Sequence, residues 1–289
     1  MSNTIIATEP KLPPAEKPQR PTTGGWLRKY LPETLGIPAV VVIIIAGWAW
    51  AVQAFNIRSV ILPSPLGVWK SLLAGLAADP ASPASYYYHA WVTLSEILGG
   101  FFLGSVLGLA LALVLSQVRI LERIFNPLIV AFQSVPKIAI APLFIIWFGF
   151  GSESKIALVT LIVFFPVLVA GFAGFKSVER ERRDVMHSLG ASKWQTFTML
   201  VLPGSLPFVF TGLEISLVHA MTATVVAEFL AGQAGIGVLI VQMGQVLDTA
   251  GIFSLMVVLG VMGFALVQIL AFIRKRLLFW SAAVRGAKA

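Results

Sequence analysis

Lys137, Glu214, His219 and Glu228 are the side chains best placed for chemistry, because each stands within a long apolar run, where an ionisable group is costly and turns toward protein or water. Glu96 lies near the end of another such run. A cation at Lys137 could draw in an anion, or it could pair with Glu96 or Glu214 as part of the structure. Gln133, Ser134 and Pro136 precede it, so this stretch is expected to be kinked and polar on one side. Glu214 and His219 are five residues apart and only partly share a helical face, which favours a structural hydrogen bond over a common ligand site. Covalent options are narrow. With no cysteine, a thiolate metal site, a disulfide scaffold and a cysteine nucleophile are all excluded. No H-E-x-x-H occurs, and His89, His187 and His219 fall in three separate segments. The phosphate-cradling pattern G-x-x-x-x-G-K-[ST] is also missing, since Gly174-Phe175-Lys176-Ser177 matches only its end and Phe175 intrudes. The chain is therefore expected not to be an enzyme, and to bind no cofactor or metal of its own.

The elements that must position these groups follow from composition. Of the 289 residues, 57% are hydrophobic and 12% charged, far from the balance of a water-soluble domain, so the bilayer is the expected solvent. A span needs roughly 20 mostly apolar residues. Six segments qualify: 37–55, 91–115, 127–148, 156–175, 207–230 and 252–273. Continuous apolar runs without alternation predict helices, since lipid leaves no other open option. The 21 Lys and Arg test the topology. Lys11, Lys17, Arg20, Arg28, Lys29, Arg119, Arg123, Lys176, Arg180, Arg182, Arg183, Lys193, Arg274, Lys275, Arg276, Arg285 and Lys288 collect on one face, and only Arg58, Lys70 and Lys155 on the other. Both termini are then cytoplasmic. Residues 1–36, rich in proline, read as a disordered cytoplasmic tail, 37–273 as a six-span domain, and 274–289 as a basic cytoplasmic C-terminal tail. The net charge of +8 is spread between apolar runs, so nucleic acid is not an expected partner.

Smaller signals refine this picture. Ser64-Pro65 should cap a short amphipathic helix on the outer surface, and Tyr86, Tyr87, Tyr88 and Trp91 suit an interfacial aromatic belt. Gly100, Gly104 and Gly108, four residues apart, permit close helix packing. The glycine-spaced segment 231–250 has no Lys or Arg and is expected to cap or re-enter the outer side.

Residues 177–204 have a different chemistry. Val178, Val185, Met186 and Leu189 form one helical stripe, while Arg180, Glu181, Arg183 and Asp184 can face outward. Gly190 suits a helix C-cap, and Ser192 can cap a second helix carrying Trp194, Phe197 and Val201, which Leu202-Pro203 should end. Spans on both sides would hold this hairpin against the bilayer, where DNA-groove entry is hindered, so a docking surface for a cytoplasmic protein is the better reading.

Here the sequence resembles the permeases of binding-protein-dependent ABC importers. Their coupling motif is Glu-Ala-Ala, three residues, Gly, nine residues, an aliphatic, one residue, then Leu-Pro. Asp184, Val185 and Met186 occupy the triplet, Gly190 the glycine, Leu200 the aliphatic and Leu202-Pro203 the end, with Leu189, Ala191 and Ser192 in the core wording. Asp for Glu and Val-Met for two alanines depart from the family. Pro136-Lys137-Ile138-Ala139, Pro142-Leu143-Phe144 and Trp147-Phe148-Gly149 resemble the branch handling nitrate, sulfonate, taurine, bicarbonate and related small anions. The resemblance implies an all-α, six-helix fold of the type I importer with a cytoplasmic coupling-helix hairpin, in a bacterial inner membrane. It implies a second permease copy, two ATPase subunits that hold the ATP and Mg, and a periplasmic or lipid-anchored substrate-binding protein. Gln133, Ser134, Lys137, Glu214, His219 and Glu228 would be pathway candidates. Related permeases often carry a basic residue at the position of Glu214. The competing reading is an ion-gradient-driven secondary carrier using Glu214, His219 and Glu228, against which stands the lack of an internal repeat.

Overall fold

The computed structural model describes residues 23–79, 82 and 85–280, and every regular element among them is helical. The chain divides after Asn56. The first unit is helix α1 (Thr23–Ala54), whose apolar part is Pro38–Ala54. It therefore begins within the segment 1–36 expected to be unstructured, because extending an existing helix costs less than nucleating one. Residues 1–22 of that expected tail lie outside the described residues. Asn56, at φ +45°, ends the helix in the left-handed region that asparagine tolerates.

The second unit contains α2 (Pro65–Ala77), α3 (Tyr86–Gln117), α4 (Arg119–Ser134), a 3-10 turn (Lys137–Ile140), α5 (Ala141–Phe148), α6 (Ser152–Lys176), α7 (Arg180–Ser188), α8 (Lys193–Thr196), a π turn (Phe197–Val201), α9 (Leu202–Ala231), α10 (Ile236–Gln245) and α11 (Thr249–Leu277). Helices α3, α6, the run from α8 through α9, and α11 are each long and apolar enough to cross a membrane. Ile120–Ser134 and Lys137–Phe148 pass the same test only when taken together and are bent by 81° at the break between them, the shape of a broken span or of a re-entrant loop. With the apolar part of α1, these account for the six expected segments.

Close packing joins α3, α6 and α9. A Cβ on Gly100 would lie 2.5 Å from Val159, one on Gly104 2.7 Å from the Thr160 carbonyl, and one on Gly108 2.8 Å from the Phe164 carbonyl. The glycine stripe is thus where α6 meets α3 backbone to backbone, the contact that holds helices together where lipid supplies no hydrophobic drive. Gly212 does the same for α9, its Cβ direction meeting the side chain of Ala170 on α6. Ile97, Leu158, Val159, Val163, Leu217 and Ala220 fill the core between the three helices.

Three expectations need correction. Tyr86 does not stand in an aromatic belt but is buried, its hydroxyl 2.9 Å from Ser254 Oγ on α11; Tyr87, Tyr88 and Trp91 are exposed. Leu202-Pro203 does not end a helix, for Lys193–Ala231 runs on as one. The π turn explains this, because the Leu202 amide donates to the Phe197 carbonyl, five residues back, and the surplus residue makes room for a ring that would clash with a regular α turn. Arg274, Lys275 and Arg276 belong to the last turn of α11 rather than to a tail, where cations complement the helix C-terminus. Residues 281–289 lie outside the described residues.

Candidate functional site

The hairpin between α6 and α9 is held by backbone capping. Gly190 sits at φ +72°, left-handed as glycine permits. Its amide donates to the His187 carbonyl (3.0 Å) and that of Ala191 to Met186 (3.0 Å), the paired bonds of a Schellman ending of α7. Immediately after it, the Gln195 amide donates to Ser192 Oγ (3.2 Å) and the Ser192 amide to Gln195 Oε1 (2.8 Å), a reciprocal capping box. The Ser-x-x-Gln spacing is the sequence signal for that box, and reading Ser192 alone as a cap takes in only half of it. Arg183 Nη2 donates to the Phe175 carbonyl (2.7 Å), fastening α7 to the end of α6. Arg182 pairs with Glu179 at 3.0 Å, and Arg180 lies 3.9 Å from Asp184.

Rigid at its turn, the hairpin shows apolar groups to the outside. Val185 is 57% exposed, Leu189 77% and Trp194 71%, whereas Met186 and Val178 are half-buried. Large apolar side chains are thus held out on a preformed, charge-flanked turn, an arrangement of the kind that protein-docking surfaces use.

The second region is the break between α4 and α5. Val135 and Pro136 are extended, and Pro136 supplies no amide to continue the helix. Gln133 and Ser134 are exposed, with Ser134 Oγ donating to the Val130 carbonyl (3.2 Å). Lys137 Nζ donates to the Gln133 carbonyl (3.3 Å) and stands 5.1 Å from the centre of the Phe165 ring. Both carboxylates considered as partners for Lys137 are engaged elsewhere. Glu96 holds Lys155 at 2.9 Å, and Glu214 holds Arg274 Nη1 through both oxygens at 2.9 and 3.0 Å.

The other candidates separate. His219 is exposed on α9, away from any pairing with Glu214, whose partner is on α11. Glu228 is 2% exposed, taking one hydrogen bond from Thr93 Oγ1 (2.7 Å) and one from the Gly237 amide (2.6 Å). The structure thus brings Gln133, Ser134 and Lys137 together and places Glu214 and Glu228 in helix-joining roles. Lys155, expected on an external face, is 3% exposed. Its partner is 59 residues away in sequence, and no local spacing announces such a pair.

Residues 104–279 match the family model for the binding-protein-dependent transport system inner membrane component. The chain belongs to that family. Among the permease's relatives, the riboflavin transport system permease protein RibX of Chloroflexus aurantiacus is 33% identical over 256 residues, 89% of this chain and 94% of that one. The taurine transport system permease protein TauC of Escherichia coli is 31% identical over 252 residues, 87% and 91% of the two chains. In fold, the permease is similar to a chain of the MetNI methionine ABC transporter in an inward-facing conformation, with a TM-score of 0.55 at 19% identity, covering 74% of this chain and 97% of that one. Membership makes the permease a non-enzymatic membrane component of an ABC importer, which works with an ATPase and a binding protein, and it removes the ion-gradient carrier from consideration.

Proposed function

We propose that the permease forms, with a second copy of itself, a pathway across the bacterial inner membrane for a small organic or inorganic anion. Two ATPase subunits, holding the ATP and Mg, would dock on the hairpin from Asp184 to Pro203, and a periplasmic or lipid-anchored binding protein would deliver the solute to the opposite face. Both termini would be cytoplasmic, following the distribution of Lys and Arg.

The observation that carries this reading is the hairpin. Val185, Leu189 and Trp194 stand exposed on a turn locked by the Gly190 ending and the Ser192 box. A surface that is both apolar and rigid suits a partner that must transmit force, since a floppy loop would absorb the movement. For the cargo, support comes from Lys137, a cation beside exposed Gln133 and Ser134 at a helix break, with its candidate carboxylates already engaged. His219 on the exposed face of α9 joins this set. The names of the two relatives divide between riboflavin and taurine, and a lysine of this kind in the pathway favours an anion such as a sulfonate.

The test is to reconstitute the permease with its ATPase and binding protein in lipid, then measure ATP hydrolysis against a panel of sulfonates, taurine, nitrate, bicarbonate and riboflavin. Stimulation by one of the small anions, and not by riboflavin, is expected. Stimulation by riboflavin alone would refute the anion assignment.

A further inference from the structure

A second polar cluster lies apart from the hairpin and the break, where α3, α6, α9 and the start of α10 meet. Glu96, Lys155, Glu228, Thr93 and His89 are all 5% exposed or less. Glu96 Oε1 accepts from Lys155 Nζ (2.9 Å) and Ser152 Oγ (2.7 Å). Glu228 accepts from Thr93 and from the Gly237 amide, while the Ile236 amide donates to Thr93 Oγ1 (2.8 Å). These hydrogen bonds fasten the first turn of α10 to α3 and α9, beside the apolar packing of Ile236 and Leu239. His89 Nδ1 adds a contact to Gly235, 2.9 Å from its amide and 3.0 Å from its carbonyl oxygen.

Charge and hydrogen bonding in this cluster do not balance if every carboxyl is ionised. Two carboxylates then face one ammonium, leaving a net negative charge in a site closed to water, where an uncompensated charge is severely unfavourable. Glu96 Oε2 is buried and has no hydrogen-bond partner. Thr93, which holds Glu228, lies one helical turn from Glu96 on the same face of α3, so the two carboxyl groups are neighbours in this buried cluster. A single proton would correct both faults, neutralising the cluster and giving Glu96 Oε2 its partner.

We propose that Glu96 and Glu228 share one proton, forming with Lys155 a buried, neutral site that seats the first turn of α10 on α3 and α9. His89 is the other titratable side chain facing the cluster, and α10 itself carries none. A protonated His89 is the alternative source of the missing positive charge.

Infrared spectroscopy of the assembled transporter in nanodiscs at neutral pH distinguishes them. The wild-type complex should show the carbonyl stretch of a protonated carboxylic acid that is missing from both Glu96→Gln and Glu228→Gln. Seating is read separately by thiol labelling of Val238→Cys, a buried position on α10 in a chain with no native cysteine. Either single glutamine variant leaves one carboxylate against Lys155, so both should keep the introduced thiol as protected as in the parent. The double variant strands Lys155 and should expose that thiol. The proposal fails if wild type has no such acid band, as a charged His89 would require. It also fails if the band survives in both single variants, or if either single variant exposes the thiol as fully as the double. Should one single variant not fold, the wild-type spectrum and the other variant still decide.

Discussion

Lys137 interacts with a backbone carbonyl and the face of Phe165, contacts that a cation can give up without leaving a buried charge behind. Lys137→Met should therefore assemble normally while transport stimulated by an anionic solute falls, measured as uptake in proteoliposomes at matched protein content; Lys137→Arg should keep part of it. Unchanged uptake in the methionine variant would remove Lys137 from the pathway. Arg274 and Glu214 behave differently, because Arg274 Nη1 donates to both carboxylate oxygens of Glu214 and so ties α11 to α9. Glu214→Gln and Arg274→Met should each lower the yield of folded complex, and combining Glu214→Arg with Arg274→Glu should recover more than either reversal alone, as read by size-exclusion recovery. Neither this pair nor Lys155 with Glu96 was legible in the sequence. The partners are 60 and 59 residues apart, and a charge count assigns such lysines and arginines to loops and tails because it cannot see which carboxylate waits across a helix interface.

Among the elements, two glycines make a contrasting pair. Gly190 has open space around its Cβ direction but a left-handed backbone, so Gly190→Val costs about 1–2 kcal/mol of local strain or somewhat more for the branched side chain. That is too little to prevent insertion, yet enough to retilt the turn. The variant should insert and be recovered, while ATP hydrolysis loses its response to loaded binding protein or the ATPase fails to stay bound. Wild-type stimulated hydrolysis in a correctly inserted variant would show that the hairpin does not couple. Gly104 has an ordinary helical backbone and no room, its Cβ direction meeting the Thr160 carbonyl at 2.7 Å. Gly104→Val should separate α3 from α6 and reduce folded protein itself, visible as aggregation on gel filtration. Features set by local chemistry could be read in advance: apolar run length, the Gly190 cap, the Ser64 and Ser192 caps, the kink before Lys137. The run through Leu202-Pro203 could not, because proline normally stops a helix and the π turn that precedes this one has no sequence signature.

For the whole molecule, the orientation expected from the basic residues can be checked in intact cells, since the chain offers no native thiol. Val246→Cys, 74% exposed between α10 and α11, should react with an impermeant thiol reagent, and Lys193→Cys on the hairpin should not. Reaction at position 193 would invert the topology. The run Lys193–Ala231, helical through its π turn, has a mechanical meaning as well. Thirty-nine residues at 1.5 Å each reach up to about 58 Å, so a lever of that length tilted by only 5° at one end carries the other through roughly 5 Å. One end of this lever is the hairpin's second arm. Near the other stands Glu228, gripping the first turn of α10. If the hairpin couples as proposed, a push on it would need no chain of rearranging side chains to be felt at that grip, because a single piece of covalent backbone already spans the distance.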